Sequence, residues 1–262
     1  MQVIAASPED RTFITAVAQR MQSICREAPG GWPACDPDGF RTLNRGGRAG
    51  VAGMQLVGRK CCVKLFYDAR LLIQWRNRLG FSKAKRAYRN GLELQRRGVN
   101  CPAMLGWVQD WKSGQPLLIT DWADDARRID HWLEEHGPDA ATAQALGRFI
   151  RQMHDAGVLH KDLSLRNLLM RAQGGGHEFL VLDYEDAGFY AAVSESQRLD
   201  NLHHLHERSL AAVPEDIRRE FLRAYLGGAA EVEAWCRKLN DLIAARPSKY
   251  TQTAGREGVR NV

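Results

Sequence analysis

Five of the eight residues in HKDLSLRN, residues 160–167, are charged or strongly polar: His160, Lys161, Asp162, Arg166 and Asn167. The run lies between two apolar stretches, AGVL (156–159) and LLM (168–170). Asp162 and Asn167 stand five apart, after a helical pattern and before a short apolar segment. A carboxylate and an amide at that spacing can point into one cleft. The first can orient or accept a hydroxyl proton, and the second can ligate a hard cation through its oxygen. Sixteen residues after Asn167, LVLD ends an apolar strand with Asp183, which can supply a carboxylate to the same cation. Mg²⁺ takes one or two carboxylates together with phosphate oxygens and water, so one Asp and one Asn suffice. H-x-D alone is a weak signal. H-x-D-x-x-x-x-N followed by an apolar strand and an Asp is far more specific. The competing reading is a capped turn beside an unrelated acid.

Two upstream features bear on phosphate. Lys64 in CCVKLFY lies inside a strand-like run and needs a counter-charge, which nucleotide phosphates would provide. The alternative is an edge-strand lysine facing water. GGRAGVAG (46–53) could cradle phosphate with backbone N–H groups, or simply turn a hairpin.

The elements that must position these residues fall into two halves. ASPEDRTFITAVAQRMQSI predicts an opening helix, with Phe13, Ile14, Val17 and Met21 at helical spacing. MQLV, CCVKLFY, CPAMLGWVQD and QPLLITDW predict strands of a mostly antiparallel sheet. Ser82 caps a helix that Gly98 ends. From residue 124 the pattern is helical, with Leu146, Phe149, Ile150 and Met153 the clearest apolar stripe. The expected class is α+β: a small β-rich lobe (1–120), a hinge (121–124), a helical lobe carrying the loop (125–245) and a flexible tail (246–262).

Bulk properties narrow the function classes. The 262 residues are 44% hydrophobic and 26% charged, as expected of an ordinary globular chain. Six cysteines lack C-x-x-C spacing, so reduced thiols in a cytosolic protein are expected. No signal-peptide pattern and no run long enough to span a membrane is present. Net charge is +6, with twelve Lys/Arg in residues 59–97 against Asp68 and Glu93. That excess favours nucleotides, anionic lipid or nucleic acid, or is a solvated basic face. His203, His204 and His206 lie on an amphipathic helix with no completed ligand set.

Taken together, the Lys64 strand, LLITDW, ALGRFIRQMHDAGVLHKDLSLRNLL and LVLDYED resemble the protein-kinase-like superfamily. KAKRAYRNGLELQRRGVNCPAML and QRLDNLHHLHERSLAAVPEDIRREFLRAYL are similar to the bacterial lipopolysaccharide kinase family, which includes Kdo and heptose kinases acting on inner-core sugars. The resemblance covers about residues 40–240 and implies a two-lobed protein-kinase-like fold with Mg²⁺-ATP between the lobes, its adenine near Ile119–Trp122. It implies Asp162 as catalytic base, Asn167 and Asp183 as Mg²⁺ ligands, and Lys64 on the ATP phosphates. It further implies a lipid-linked saccharide acceptor and a cytoplasmic protein, peripheral at the inner face of a Gram-negative inner membrane. No nucleic acid is expected, since no recognition motif is present.

Three departures stand out. Asp183-Tyr184-Glu185 replaces D-F-G, and Ser164 stands where protein kinases often carry a lysine. Charge on the transferring phosphoryl must then be met by Arg166, by the metal or by something elsewhere. Finally, Lys64 lacks an evident partner. Glu93 falls opposite the apolar face formed by Ala84, Ala87, Tyr88, Gly91, Leu92 and Leu94, so Lys64 is expected to rest against Asp183 until nucleotide arrives. A kinase for a soluble small molecule, of the aminoglycoside-phosphotransferase type, and a nucleotide-binding pseudokinase remain as alternatives.

Overall fold

In the computed structural model, Ser7 opens helix α1 (Pro8–Glu27): its hydroxyl accepts from Asp10 N at 3.1 Å and donates to the Asp10 carboxylate at 2.7 Å. Pro8 at the first helical position and acids in the first turn suit a helix N-terminus, where N–H groups lack partners. The structure describes residues 2–27, 32–33, 37–46, 49–66, 82–109 and 115–246. The chain divides into two compact units, the first built from residues 1–96 and 102–124, the second from 97–101 and 125–262.

The first unit is a six-stranded antiparallel sheet with helices. Its strands are β1 (Gln2–Ala5), β2 (Phe40–Arg45), β3 (Ala49–Leu56), β4 (Arg59–Phe66), β5 (Met104–Gln109) and β6 (Pro116–Asp121), ordered β1-β5-β6-β4-β3-β2. The sequence reading lacked β1 and β2. β1 is a four-residue edge that forms only because Gly106 of β5 lets Ile4 approach: a Cβ there would meet the Ile4 carbonyl oxygen at 2.3 Å. Ile14, Val17 and Met21 of α1 pack with Phe40, Met54, Cys61, Val63, Leu65, Leu117 and Ile119. Inward Cys61, Val63 and Leu65 alternate along β4, so Lys64 falls on the face away from that core.

Helix α2 (Lys83–Arg96) is capped by Ser82, whose hydroxyl accepts from Lys85 N at 3.2 Å. It buries Ala84, Ala87, Tyr88, Gly91 and Leu94, but Leu92 is exposed, so the apolar face is narrower than the sequence suggested. The glycines of β3 serve packing. A Cβ at Gly50 would enter the Trp32 ring at 2.3 Å, and one at Gly53 would enter the Trp122 ring at 2.7 Å. The remainder of the GGRAGVAG loop, residues 47–48, lies outside the described residues, as do most of the expected tail, from 247, and Arg70, Arg76 and Arg78 of the basic run.

The second unit is helical around two small sheets. Strand β7 (Arg127–Arg128) leads into α3 (Ile129–His136), then α4 (Ala140–Asp155), capped by Asp139 accepting from Thr142 N at 2.9 Å. Leu146, Phe149, Ile150 and Met153 are buried, as their spacing predicts. Strand β8 (Val158–Leu159) pairs with β11 (Gly188–Phe189), and β9 (Leu168–Gln173) pairs with β10 (Gly176–Val181) in a hairpin. Helices α5 (Glu195–Leu205), α6 (Glu215–Leu226) and α7 (Val232–Ala245) follow, and a π turn, His206–Leu210, continues α5.

Arg97 shows why the short 97–101 segment belongs here. Its guanidinium donates to the carbonyls of Ala156 (2.8 Å), Gly157 (3.3 Å) and Tyr190 (2.8 Å). Those carbonyls, at the end of α4 and beside β11, lie beyond regular ladders, and a charged donor satisfies them well. Arg97→Ala should cost about 2 kcal/mol of unfolding free energy, and Arg97→Lys should recover only part, because all three bonds come from the terminal Nη1, a position the shorter lysine side chain reaches less well. Urea midpoints of the three proteins check this.

Candidate active site

The H-x-D loop enters from β8 and leaves through a single 3₁₀ turn, Leu165–Asn167, into β9. Its apolar residues point inward: Leu163 and Leu165 are buried, and so is Ser164. The backbone closes on itself, with Leu163 N donating to His160 O at 3.1 Å and Asn167 N to Ser164 O at 3.0 Å. The polar side chains are thereby left toward the outer side. Asn167 Nδ2 donates to the Asp162 carbonyl at 2.8 Å and reaches the Asp162 carboxylate at 3.3 Å. Both bonds use the amide nitrogen, which leaves Oδ1, the atom a hard cation prefers, for a ligand.

His160 is buried, and its Nε2–H donates to the Leu182 carbonyl at 2.7 Å. A carbonyl only accepts, so the tautomer is fixed with the proton on Nε2. Burial pushes the His160 pKa down and keeps the ring neutral. Leu182 N in turn donates to the Asn167 carbonyl at 2.8 Å. The residue before Asp183 is therefore held on both sides by the H-x-D loop. Asp183 itself sits in the left-handed region, φ 58° and ψ 41°, which costs a non-glycine residue on the order of 1 kcal/mol. It opens the 3₁₀ turn Tyr184–Asp186.

Asp162 and Asn167 are thus joined within the second unit by the Asn167 amide, and the backbone of Leu182, next to Asp183, is bonded to the same loop. Lys64 belongs to the first unit, on β4 opposite Leu118 of β6, with its ammonium 5.1 Å from the Phe66 ring centre. Among the described residues no three His, Cys, Asp or Glu side chains converge as a metal site, so His203, His204 and His206 do not form one. One Asp with one Asn is a donor set that suits Mg²⁺, which keeps water and phosphate oxygens as its other ligands.

The sequence reading missed what lies against Asp162. Arg208 Nη1 is 2.6 Å from Asp162 Oδ1, and His204 Nε2 is 3.6 Å from the same oxygen. Ser209 Oγ accepts from Leu165 N at 2.9 Å. His204 and Arg208 are four apart, a spacing that puts them on one side of a helix, and this was the available signal.

A second network supports the loop from beneath. Asn201 donates to the His160 carbonyl at 2.9 Å, and its oxygen accepts from His154 Nε2 at 3.0 Å. His154 Nδ1 accepts from the Tyr225 hydroxyl at 2.8 Å. Burial lowers the His154 pKa to about 4.

The β-rich first unit and the helical second unit carrying an H-x-D-x-x-x-x-N loop define a protein-kinase-like fold. The chain belongs to the lipopolysaccharide kinase (Kdo/WaaP) family, whose model matches residues 40–225. It is similar to the 3-deoxy-D-manno-octulosonic acid kinase of Mannheimia succiniciproducens, 31% identical over 96 residues, which are 37% of this chain and 39% of the relative. The enzyme of the same name from Haemophilus influenzae Rd is 27% identical over 101 residues, 37% of this chain and 41% of the relative. In three dimensions the chain is similar to WaaP, solved in complex with acyl carrier protein, with a TM-score of 0.60 and 17% identity over 92% of this chain and 99% of that one.

His154 sets a pH dependence. Folding lowers its pKa from 6.5 to about 4, so in that window the unfolded chain takes up a proton that the folded chain does not. Stability present at neutral pH is lost as the pH falls through the window, by on the order of 3 kcal/mol. His160, also shifted down, acts in the same direction. His154→Gln should lower the melting temperature at neutral pH but flatten its decline toward pH 5, as thermal unfolding against pH would show.

Proposed function

We propose that the chain transfers the γ-phosphoryl of ATP to a sugar hydroxyl of the lipopolysaccharide inner core, on Kdo or heptose. The observation that carries this is the arrangement around Asp162. Its carboxylate is half-exposed on a loop whose backbone is tied down, within reach of the Asn167 amide, and the same loop holds the backbone of Leu182, the residue before Asp183. Family membership and the names of the relatives support the acceptor class.

On this reading Asp162 accepts a hydrogen bond from the acceptor hydroxyl, orients it and takes its proton as the new P–O bond forms and the γ-phosphorus bond to the bridging oxygen breaks, releasing ADP. Asn167 Oδ1 and the Asp183 carboxylate hold Mg²⁺, which when bound neutralises phosphate charge. Lys64 binds the ATP phosphates, and the Ile119–Trp122 backbone meets adenine. Most of the rate comes from positioning and charge, since the protein forms no covalent bond to phosphorus. With purified lipid A–core acceptors and radiolabelled ATP, Asp162→Ala should reduce transfer at least a hundredfold. Transfer that survives the substitution refutes the role of Asp162. Free sugars phosphorylated in preference to lipid-linked ones point to the soluble-substrate alternative.

A lipid-linked acceptor places the chain at the cytoplasmic face of the inner membrane. Among the described residues no helix is long and apolar enough to cross a membrane, so attachment would be at the surface. Much of the basic run is committed elsewhere. Arg59 pairs with Asp10, Lys60 with Asp124 and Arg96 with Glu93, and Arg97 serves three carbonyls. Helix α2 also carries Lys83, Lys85 and Arg89, each contributing on the order of 1 kcal/mol near an anionic surface. Sedimentation with anionic vesicles should fall as salt rises, and should fall further in a Lys83→Ser/Arg89→Ser variant. Binding insensitive to lipid charge and salt sinks this docking mode.

A further inference from the structure

We infer that Arg208, delivered by the π turn after α5, is the positioning residue of the phosphoryl-transfer loop and supplies the positive charge that Ser164 lacks. This rests on the role proposed above for Asp162.

The loop itself cannot easily carry that charge. Ser164 is only 3% exposed, between Leu163 and Leu165, which are also buried. A lysine there would place its ammonium stem in a closed apolar setting, which is costly without a partner at hand. Arg166, the other candidate inside the loop, is exposed. The charge arrives instead from a different element. Arg208 Nη1 lies 2.6 Å from Asp162 Oδ1, a close ion pair.

Three contacts show that this is a built arrangement. Ser209, the next residue, accepts from Leu165 N at 2.9 Å, so the turn grips both the loop's acid and its backbone. His204, one turn earlier on α5, lies 3.6 Å from the same carboxylate oxygen, too long for a good hydrogen bond but close enough to confine the carboxylate. Asn201, on the same helix, donates to the His160 carbonyl at 2.9 Å. Residues 201–209 therefore hold the H-x-D loop at three points. The π geometry matters here. It takes roughly one more residue per turn than the α-helix, so Arg208 and Ser209 are both brought to the loop.

What Arg208 does follows from chemistry. One lone pair of Oδ1 is spent on the guanidinium, and Oδ2 is 3.3 Å from Asn167 Nδ2. An ionised carboxylate has about four acceptor sites, so room remains for the acceptor hydroxyl, while the carboxylate cannot rotate away. A fixed cation beside the base also lies close to where negative charge on the phosphoryl must be met. Such a preorganised donor acts mainly on kcat.

The test uses the full chain with Mg²⁺-ATP and a lipid A–core acceptor, comparing wild type, Arg208→Lys, Arg208→Ala and Asp162→Ala. The readouts are kcat, KM for ATP, affinity for a fluorescent ATP analogue, and melting temperature. Arg208→Ala should lower kcat by about 10²–10³-fold with nucleotide affinity nearly unchanged. Arg208→Lys should keep a clearly larger share, and added methylguanidinium should restore part of the alanine variant's rate. If the alanine variant does not fold, Arg208→Gln against Arg208→Lys gives the same contrast between neutral and charged side chains. A kcat for Arg208→Ala within about threefold of wild type overturns the inference. So does a loss shared equally by Lys and Ala variants and unresponsive to methylguanidinium, which marks a packing role. If Asp162→Ala abolishes transfer while Arg208→Ala keeps it, only this inference fails. If transfer survives Asp162→Ala, the assignment of Asp162 fails and takes this inference with it.

Discussion

The hydrogen bond from His160 Nε2 to the carbonyl of Leu182 joins two segments that lie apart in the chain. One carries Asp162 and Asn167; the other ends in Asp183, after the β9–β10 hairpin. A hairpin fixes the register of its own strands but not the direction in which the next residue points. Here Leu182 is held through its carbonyl by His160 and through its N–H by the Asn167 carbonyl. The next residue, Asp183, takes the left-handed conformation and opens the 3₁₀ turn Tyr184–Asp186. The strain is of order 1 kcal/mol, small beside the two hydrogen bonds that hold Leu182.

A buried imidazole is costly unless its donors and acceptors are matched and its charge suppressed. Both conditions hold for His154, which donates to Asn201 and accepts from Tyr225. Asn201 then turns its amide nitrogen to the His160 carbonyl. A chain of neutral, directional bonds thus runs from α6 through α4 and α5 to the loop. Each member fixes the next one's orientation, which an apolar core of equal volume would not do. Directional bonds of this kind fix the orientation of the H-x-D loop as well as its position.

The sequence displayed the periodic features well, because period and capping are local. The inward stripe of α4, the alternation in β4 around Lys64 and the Ser82 cap of α2 all follow from residue spacing. The loop H-x-D-x-x-x-x-N was legible because Asp162 and Asn167 are neighbours in the chain as well as in space. Features resting on tertiary approach were not. β1 depends on a glycine in a strand about a hundred residues away. Leu92 looked inward on a helical wheel but lies beyond the edge of the strip that α2 buries. The histidines of α5 invited a metal reading, when their helix instead serves the loop through Asn201, His204 and Arg208.

Arg208 was hidden for a related reason. Its four-residue spacing from His204 was legible, but the carboxylate that both face, Asp162, lies on a loop far upstream in the chain. The loop's own composition, with a serine where a cation was wanted, pointed to a missing charge without saying where it would come from. The packing answers this physically. A loop whose residues 163, 164 and 165 are all buried is rigid because its interior is closed, and a closed interior has no place for a lysine stem. A rigid loop and a cation beside Asp162 therefore make competing demands on the same three residues. Bringing the guanidinium in from α5 separates them: the loop can pack tightly, and the cation can come from a side chain long enough to reach the carboxylate from outside.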